Sequence, residues 1–264
     1  MISVTGARWI SLGLAGLLAL QIAGSADAIE RVPRPSVSGF AEVDGISLFY
    51  QVYGSGDPIL LIHGGLSDSD VWRRQLGILS RKHRVIVADS RGQGRSTRDE
   101  TPITYALMAD DYLALLDQLG ERAVALVGWS DGGIIGLDIA IRHPERLTRM
   151  FIQAANATPD GALAYDPTKD VPELKHYADV GKEIHALWAN EPNFTPDQLS
   201  SISVPTEIVI GEHDEAISRE HTIFIANTIP GARFVILPDV GHSAPVEDPK
   251  GYAEAVLNFI DGTS

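Results

Sequence analysis

The chain has 264 residues, of which 44% are hydrophobic and 21% charged, an ordinary globular balance for one large core or two small ones. A formal net charge of −14 and the lack of any Lys/Arg cluster argue against nucleic acid as a partner, because phosphate binding needs a basic patch. With no cysteine, disulfides, thiolate metal sites and lipid attachment at an N-terminal cysteine are excluded.

Residues 9–24 are almost wholly apolar, follow a short segment with one basic side chain, Arg8, and lead into Ala26-Asp27-Ala28. This pattern reads as a secretory signal peptide cleaved after Ala28. The apolar stretch is short for a span of about 20 residues, so no stable membrane span is expected after cleavage. The mature protein is then secreted or periplasmic, with residues 29–264 as one domain.

Residues 29–37 read as an extended lead-in. Phe40–Val43 and Ile46–Val52 flank Asp44-Gly45, a hairpin turn signal. Pro58–Ile62 is a buried strand ending in His63-Gly64-Gly65. Val71–Leu79 reads as a helix and Arg84–Ala88 as another buried strand, followed by the glycine-rich loop 89–96. In 104–119, Met108, Tyr112, Leu115, Leu116 and Leu119 fall at helical spacing and Gly120 stops the helix.

Ala123–Val127 is a further buried strand. It runs into Gly128-Trp129-Ser130-Asp131-Gly132, and the apolar run after it predicts a helix that stops before Pro144. A Gly-x-Ser-x-Gly segment between strand and helix puts the serine on a sharp turn with its hydroxyl exposed, which makes Ser130 a candidate nucleophile. Leu147–Gln153, Glu207–Ile210 and Phe234–Leu237 read as strands, and His221–Thr228 and Tyr252–Ile260 as helices. Strands alternating with helices predict an α/β fold with a mostly parallel sheet flanked by helices. The stretch at about 157–204 breaks the alternation. It carries prolines and the aromatics Tyr165, Tyr177, Trp188 and Phe194, and reads as a small helical cap inserted between two strands.

A serine nucleophile needs a base, because an alcohol is barely ionised at neutral pH. His242, in the loop 239–243 after the last strand, is the candidate; His143, His176, His185 and His221 are explained by solvent-facing or helical positions. The base needs an acid to hold its tautomer. Asp214 follows a strand directly, with Glu212 and Glu215 as rivals, and the alternative place after the preceding strand offers Asn156 and no carboxylate before Asp160. An acyl-transfer site also needs donors for the developing oxyanion, and the N–H groups of Asp131 and Gly65 are the candidates. His63 is expected to brace its loop.

These motifs resemble the α/β-hydrolase family in order and spacing: His63-Gly64-Gly65, Asp89-x-Arg91-Gly92-x-Gly94-x-Ser96, Gly128-x-Ser130-x-Gly132, the Asp214 loop and Gly241-His242. The resemblance covers residues 40–156 and 204–262 and implies an α/β-hydrolase fold with a Ser130–Asp214–His242 triad. The segment 128–133 is also similar to the valacyclovir hydrolase branch, which implies that Asp131 holds a substrate amine; a carboxylate favoured by the helix dipole is the other reading of Asp131. Trp129 and Trp188 are further candidates for contact with substrate.

The expected function is a serine hydrolase cleaving a small-molecule carboxylic ester, with no cofactor and no metal. Lactonase, amidase, C–C bond hydrolase and cofactor-free haloperoxidase chemistry remain open on the same residues, because fold does not choose among them. A non-catalytic ligand-binding member is the alternative from another class, opposed by all three triad positions being filled.

Overall fold

A computed structural model describes residues 32–163 and 178–262. The expected signal peptide and its cleavage site lie outside the described residues, as do Tyr165, His176 and Tyr177 of the expected cap. Among the described residues, no helix is long and apolar enough to cross a membrane.

The described residues build one eight-stranded sheet. Its strands are β1 (Val37–Val43), β2 (Ile46–Tyr53), β3 (Pro58–Ile62), β4 (Arg84–Ala88), β5 (Val124–Trp129), β6 (Leu147–Gln153), β7 (Thr206–Gly211) and β8 (Arg233–Leu237). The spatial order is β1-β2-β4-β3-β5-β6-β7-β8. The β1–β2 and β2–β4 pairs are antiparallel and every other pair is parallel. Asp44 and Gly45 both take positive φ, 43° and 83°, as a two-residue hairpin turn of the primed type requires.

The central strands read as unbroken apolar runs because both their faces are covered. Leu60 and Ile62 of β3 and Leu126 of β5 join the core beneath helices α2 (Tyr105–Gln118), α3 (Asp131–Arg142) and α6 (Arg219–Thr228). Ile59, Leu61, Ala125 and Val127 point the other way, into a second core with α1 (Arg73–Leu79), α7 (Ala244–Glu247) and α8 (Pro249–Ile260). Helix α2 starts where Thr104 accepts the Leu107 N–H at 3.0 Å, an N-cap that fixes the boundary one residue inside the expected helix. The helix expected from Val71 begins instead as a 3-10 turn over Ser69–Trp72, because Asp68 caps it by accepting the Asp70 N–H at 2.8 Å.

Between β6 and β7 the described residues form a 3-10 turn at Pro159–Gly161 and helices α4 (Ala178–Asn190) and α5 (Pro196–Ser200). Val180, Ile184 and Leu187 of α4 are buried in the first core, with Trp188 and Phe194 packed against it. Glu183 accepts the Ile103 N–H at 2.8 Å and pairs with Arg98, and Glu191 accepts the Tyr105 N–H at 3.2 Å, so α4 is fastened to the segment that opens α2.

The glycine-rich loop after β4 is held from within. Arg91 is 1% exposed and grips Asp111 of α2 with two N–H groups, at 2.9 and 2.6 Å. Asp89 accepts from Ser69 Oγ at 2.6 Å and from Arg95 Nε at 2.7 Å.

In an open parallel sheet, ligands bind beyond the carboxyl ends of the strands where the winding reverses. The reversal here lies between β3 and β5, where the chain leaves β3 toward β4 on one side and leaves β5 toward β6 on the other. His63-Gly64-Gly65 follows β3 and Ser130 follows β5, so both expected loops fall at that point.

Candidate active site

The turn after β5 is built by close approach. A Cβ on Gly128 would lie 2.3 Å from the Gly132 carbonyl oxygen, and one on Gly132 would lie 2.1 Å from that of Ile62. Only glycine lets strand, turn and helix pass this closely. Ser130 sits between them at φ 55°, ψ −119°, a conformation that costs a non-glycine residue about 1–3 kcal/mol and persists only when its surroundings impose it. Those surroundings include the Gln153 carbonyl, which accepts the Ser130 N–H at 2.8 Å.

The structure brings the three triad candidates together from the ends of three strands. His242 Nε2 lies 3.1 Å from Ser130 Oγ, and Nδ1 lies 3.1 and 3.2 Å from the two Asp214 oxygens. Facing a carboxylate, Nδ1 carries the proton and Nε2 is left to accept from the serine hydroxyl. The Asp214 side chain is 1% exposed. Its Oδ1 also accepts the N–H groups of Ala216 and Ile217, at 3.0 and 2.8 Å, so the carboxylate is aimed before the imidazole reaches it.

The rival acids are engaged elsewhere. Glu212 accepts the Asp239 N–H at 3.1 Å, and Glu215 accepts the backbone N–H of His242 at 3.1 Å, away from the ring. After β6, Asn156 donates to the Thr158 carbonyl at 2.9 Å. His63 is a brace. The Ser90 N–H donates to its Nε2 at 2.9 Å, so Nδ1 carries the proton and donates to the Gly64 carbonyl at 2.7 Å. Burial lowers its pKa and keeps it neutral.

Gly65 and Asp131 meet across the turn. A Cβ on Gly65 would fall 2.3 Å from Asp131 Oδ2 and 2.6 Å from Trp188 Cζ2, and one on Gly64 would fall 3.2 Å from Ser130 Cβ. The Asp131 side chain does not end in open space. Its residue is 5% exposed, Oδ1 accepts the Tyr105 hydroxyl at 2.9 Å, and the Trp188 indole N–H lies 2.9 Å from both oxygens. Burial pushes its pKa up to about 6, against the hydrogen bonds from Trp188 and Tyr105 and the charge of His242, which act to lower it. Trp188 thus touches Asp131 through its one polar atom. Trp129 likewise spends its indole N–H inside the protein, on the His242 carbonyl at 2.8 Å.

Two residues of this arrangement escaped the sequence reading, Tyr105 and Gln153. Gln153 had one available signal, a primary amide closing the apolar run Met150-Phe151-Ile152. Tyr105 at the start of an amphipathic helix gave none. Among the described residues, Glu212, His213 and Asp239 have the composition of a cation site, with ligand atoms within 4.8 Å of one another at the exposed surface.

Comparison with known proteins agrees with the fold. Residues 57–179 match the model of the α/β hydrolase fold family. The human protein named serine hydrolase BPHL is 31% identical over 247 residues, covering 83% of this chain and 84% of that one. A putative carbamate hydrolase, RutD, of Azorhizobium caulinodans is 27% identical over 257 residues, covering 83% of this chain and 97% of that one. Among solved structures, the enol-lactonase of Burkholderia xenovorans superposes with a TM-score of 0.74 at 25% identity, covering 84% of this chain and 99% of that one. Hydrolysis is the activity these names share, and the chain belongs to the α/β-hydrolase family.

Proposed function

We propose that the protein is a serine hydrolase that cleaves carboxylic esters of small molecules through an acyl-enzyme. Ser130 Oγ attacks the acyl carbonyl while His242 Nε2 takes its proton, and His242 then gives that proton to the leaving alcohol. Asp214 holds the tautomer and offsets the imidazolium charge. The N–H groups of Asp131, at the start of α3, and of Gly65 receive the oxyanion. Water repeats the sequence to release the acid. The observation that carries this reading is the hydrogen-bonded line from Ser130 Oγ through His242 to a buried Asp214, each link near 3.1 Å. No step calls for a metal or cofactor.

A second reading keeps the triad and changes the leaving group. It is favoured by the relatives' names, one a putative carbamate hydrolase and one an enol-lactonase. One experiment separates these readings. Wild type and Ser130→Ala are treated with a fluorophosphonate probe and assayed on p-nitrophenyl butyrate, an enol-lactone and an alkyl carbamate. Labelling and ester turnover in wild type alone support the esterase. Activity retained by Ser130→Ala overturns the nucleophile, and labelling with turnover of the lactone or carbamate alone moves that substrate class to the front.

We also propose export, on the apolar run 9–24 and Ala26-Asp27-Ala28. N-terminal sequencing of the protein from its native host should begin at Ile29; an intact Met1 on the cytoplasmic protein would overturn it.

A further inference from the structure

The main chain at His242 is held at several points, and the two deepest lie beside the nucleophile. The His242 carbonyl accepts the Trp129 indole N–H at 2.8 Å and a Gln153 amide N–H at 3.2 Å. On the outer side, Glu215 accepts the His242 N–H at 3.1 Å and Glu247 accepts the Gly241 N–H at 2.7 Å, but both carboxylates are at the exposed surface. Gln153 is fully buried.

Trp129 and Gln153 are register partners at the ends of β5 and β6. Trp129 directly precedes Ser130. Gln153 works with both ends, its backbone carbonyl accepting the Ser130 N–H at 2.8 Å and its side chain donating to His242. A primary amide in an apolar core is costly unless it is bonded. Its nitrogen meets that need through the bond to the His242 carbonyl. The turn after β5 and the loop after β8 are not neighbours in the sheet, since β6 and β7 lie between those strands, so the bonds to the His242 carbonyl tie them together directly.

We propose that Trp129 and Gln153 are positioning residues that set the Ser130–His242 distance by gripping the His242 carbonyl from the nucleophile's side. The proposal rests on the triad reading above. It assigns Trp129 to the base, where the sequence had suggested contact with substrate. The indole also faces the imidazole, with ring centroids 5.9 Å apart, so its plane and its N–H constrain the same residue. Trp129 and Gln153 touch neither reacting atom through these bonds; they act through where His242 stands.

The test uses the full chain and three variants: Trp129→Phe, which keeps a ring and removes the donor; Gln153→Met, which keeps length and burial and removes the donor; and the pair. Each is assayed for kcat and KM on p-nitrophenyl butyrate, for the rate of fluorophosphonate labelling, and for its thermal midpoint. Either single change leaves one donor on the carbonyl and should lower kcat severalfold. The pair leaves the carbonyl bare and should lower kcat and the labelling rate together by ~10²-fold, the loss expected for a displacement near 1 Å, with KM within about twofold of wild type. Gln153→Met keeps side-chain length and burial, so its thermal midpoint should stay close to that of wild type.

A double variant that keeps wild-type kcat overturns the proposal. So does a change confined to KM, which would return Trp129 to the substrate. A kcat loss that only follows the unfolded fraction at the assay temperature overturns it as well. If the pair does not fold, Trp129→Phe decides alone by the split between kcat and KM. Failure of the triad itself reads differently, as a folded wild type that the probe does not label at Ser130.

Discussion

Asp131→Asn should stabilise the protein at pH 8 and leave its stability nearly unchanged at pH 4.5. The carboxyl is buried against Tyr105 of α2, Trp188 of α4 and the Gly65 backbone, and the titratable group that acts on it is His242. Its pKa rises from 3.8 to about 6, chiefly through burial. At about 1.4 kcal/mol per unit, that rise is worth about 3 kcal/mol. The sign follows from linkage. A group whose folded pKa exceeds its unfolded value stabilises fully below about pH 4, and that contribution is lost as pH rises through about 6. Wild type therefore carries the whole cost of a buried anion at pH 8 and about a third of it at pH 4.5.

Asparagine keeps the Oδ1 acceptor that serves both Tyr105 and Trp188 and never ionises. Its amide replaces Oδ2 and forfeits the second Trp188 contact, a loss of about 1 kcal/mol. The variant should then be more stable than wild type by about 2 kcal/mol at pH 8, or about 4–8 °C in thermal midpoint. At pH 4.5 it should be level or slightly weaker. Urea unfolding of both chains at the two pH values gives the difference directly, and titrating groups that do not interact with Asp131 cancel between them. A variant less stable at pH 8 would refute the reasoning, because hydrogen bonds to the ionised carboxylate would then outweigh its desolvation.

Asp214→Asn should lower kcat/KM by ~10⁴-fold with the fold intact, because the amide offers the wrong partner to Nδ1–H; a silent change would place the acid elsewhere. Asp131→Asn should alter turnover of aminoacyl and neutral p-nitrophenyl esters to the same degree, since Trp188 and Tyr105 already occupy its oxygens. A selective loss on the aminoacyl ester would show that the carboxylate receives an amine. Asp111→Ala should cost about 3–5 kcal/mol in urea unfolding, because Arg91 is left buried without its two-point partner; a loss under 1 kcal/mol would mean that Asp99, 3.1 Å from Arg91, compensates.

What the sequence disclosed was set by range. β3, β4 and β6 run over the residues expected of them, because a strand covered on both faces must be apolar throughout and turn residues bound it at each end. The nucleophile turn is legible for the same reason: its glycines and serine act on one another within five residues. The candidate triad is long-range, yet each member announces itself locally as a chemically apt residue just after a strand, and the fold carries those strand ends to one edge. The polar contacts that tune the site have no such local mark. Trp129 reaches a carbonyl 113 residues away and Gln153 the same carbonyl 89 residues away, while Asp131 meets Trp188 57 residues on. A tryptophan beside a nucleophile and an acid behind it suggest substrate contact when only chain order is known. The packed structure supplies a competing demand, that a buried indole N–H or carboxylate oxygen be paired. Here that demand is met from inside the protein, by the His242 carbonyl and by Trp188. The chemistry of the site was therefore written in its strand ends, and the means of holding it still was written in which strand ends become neighbours.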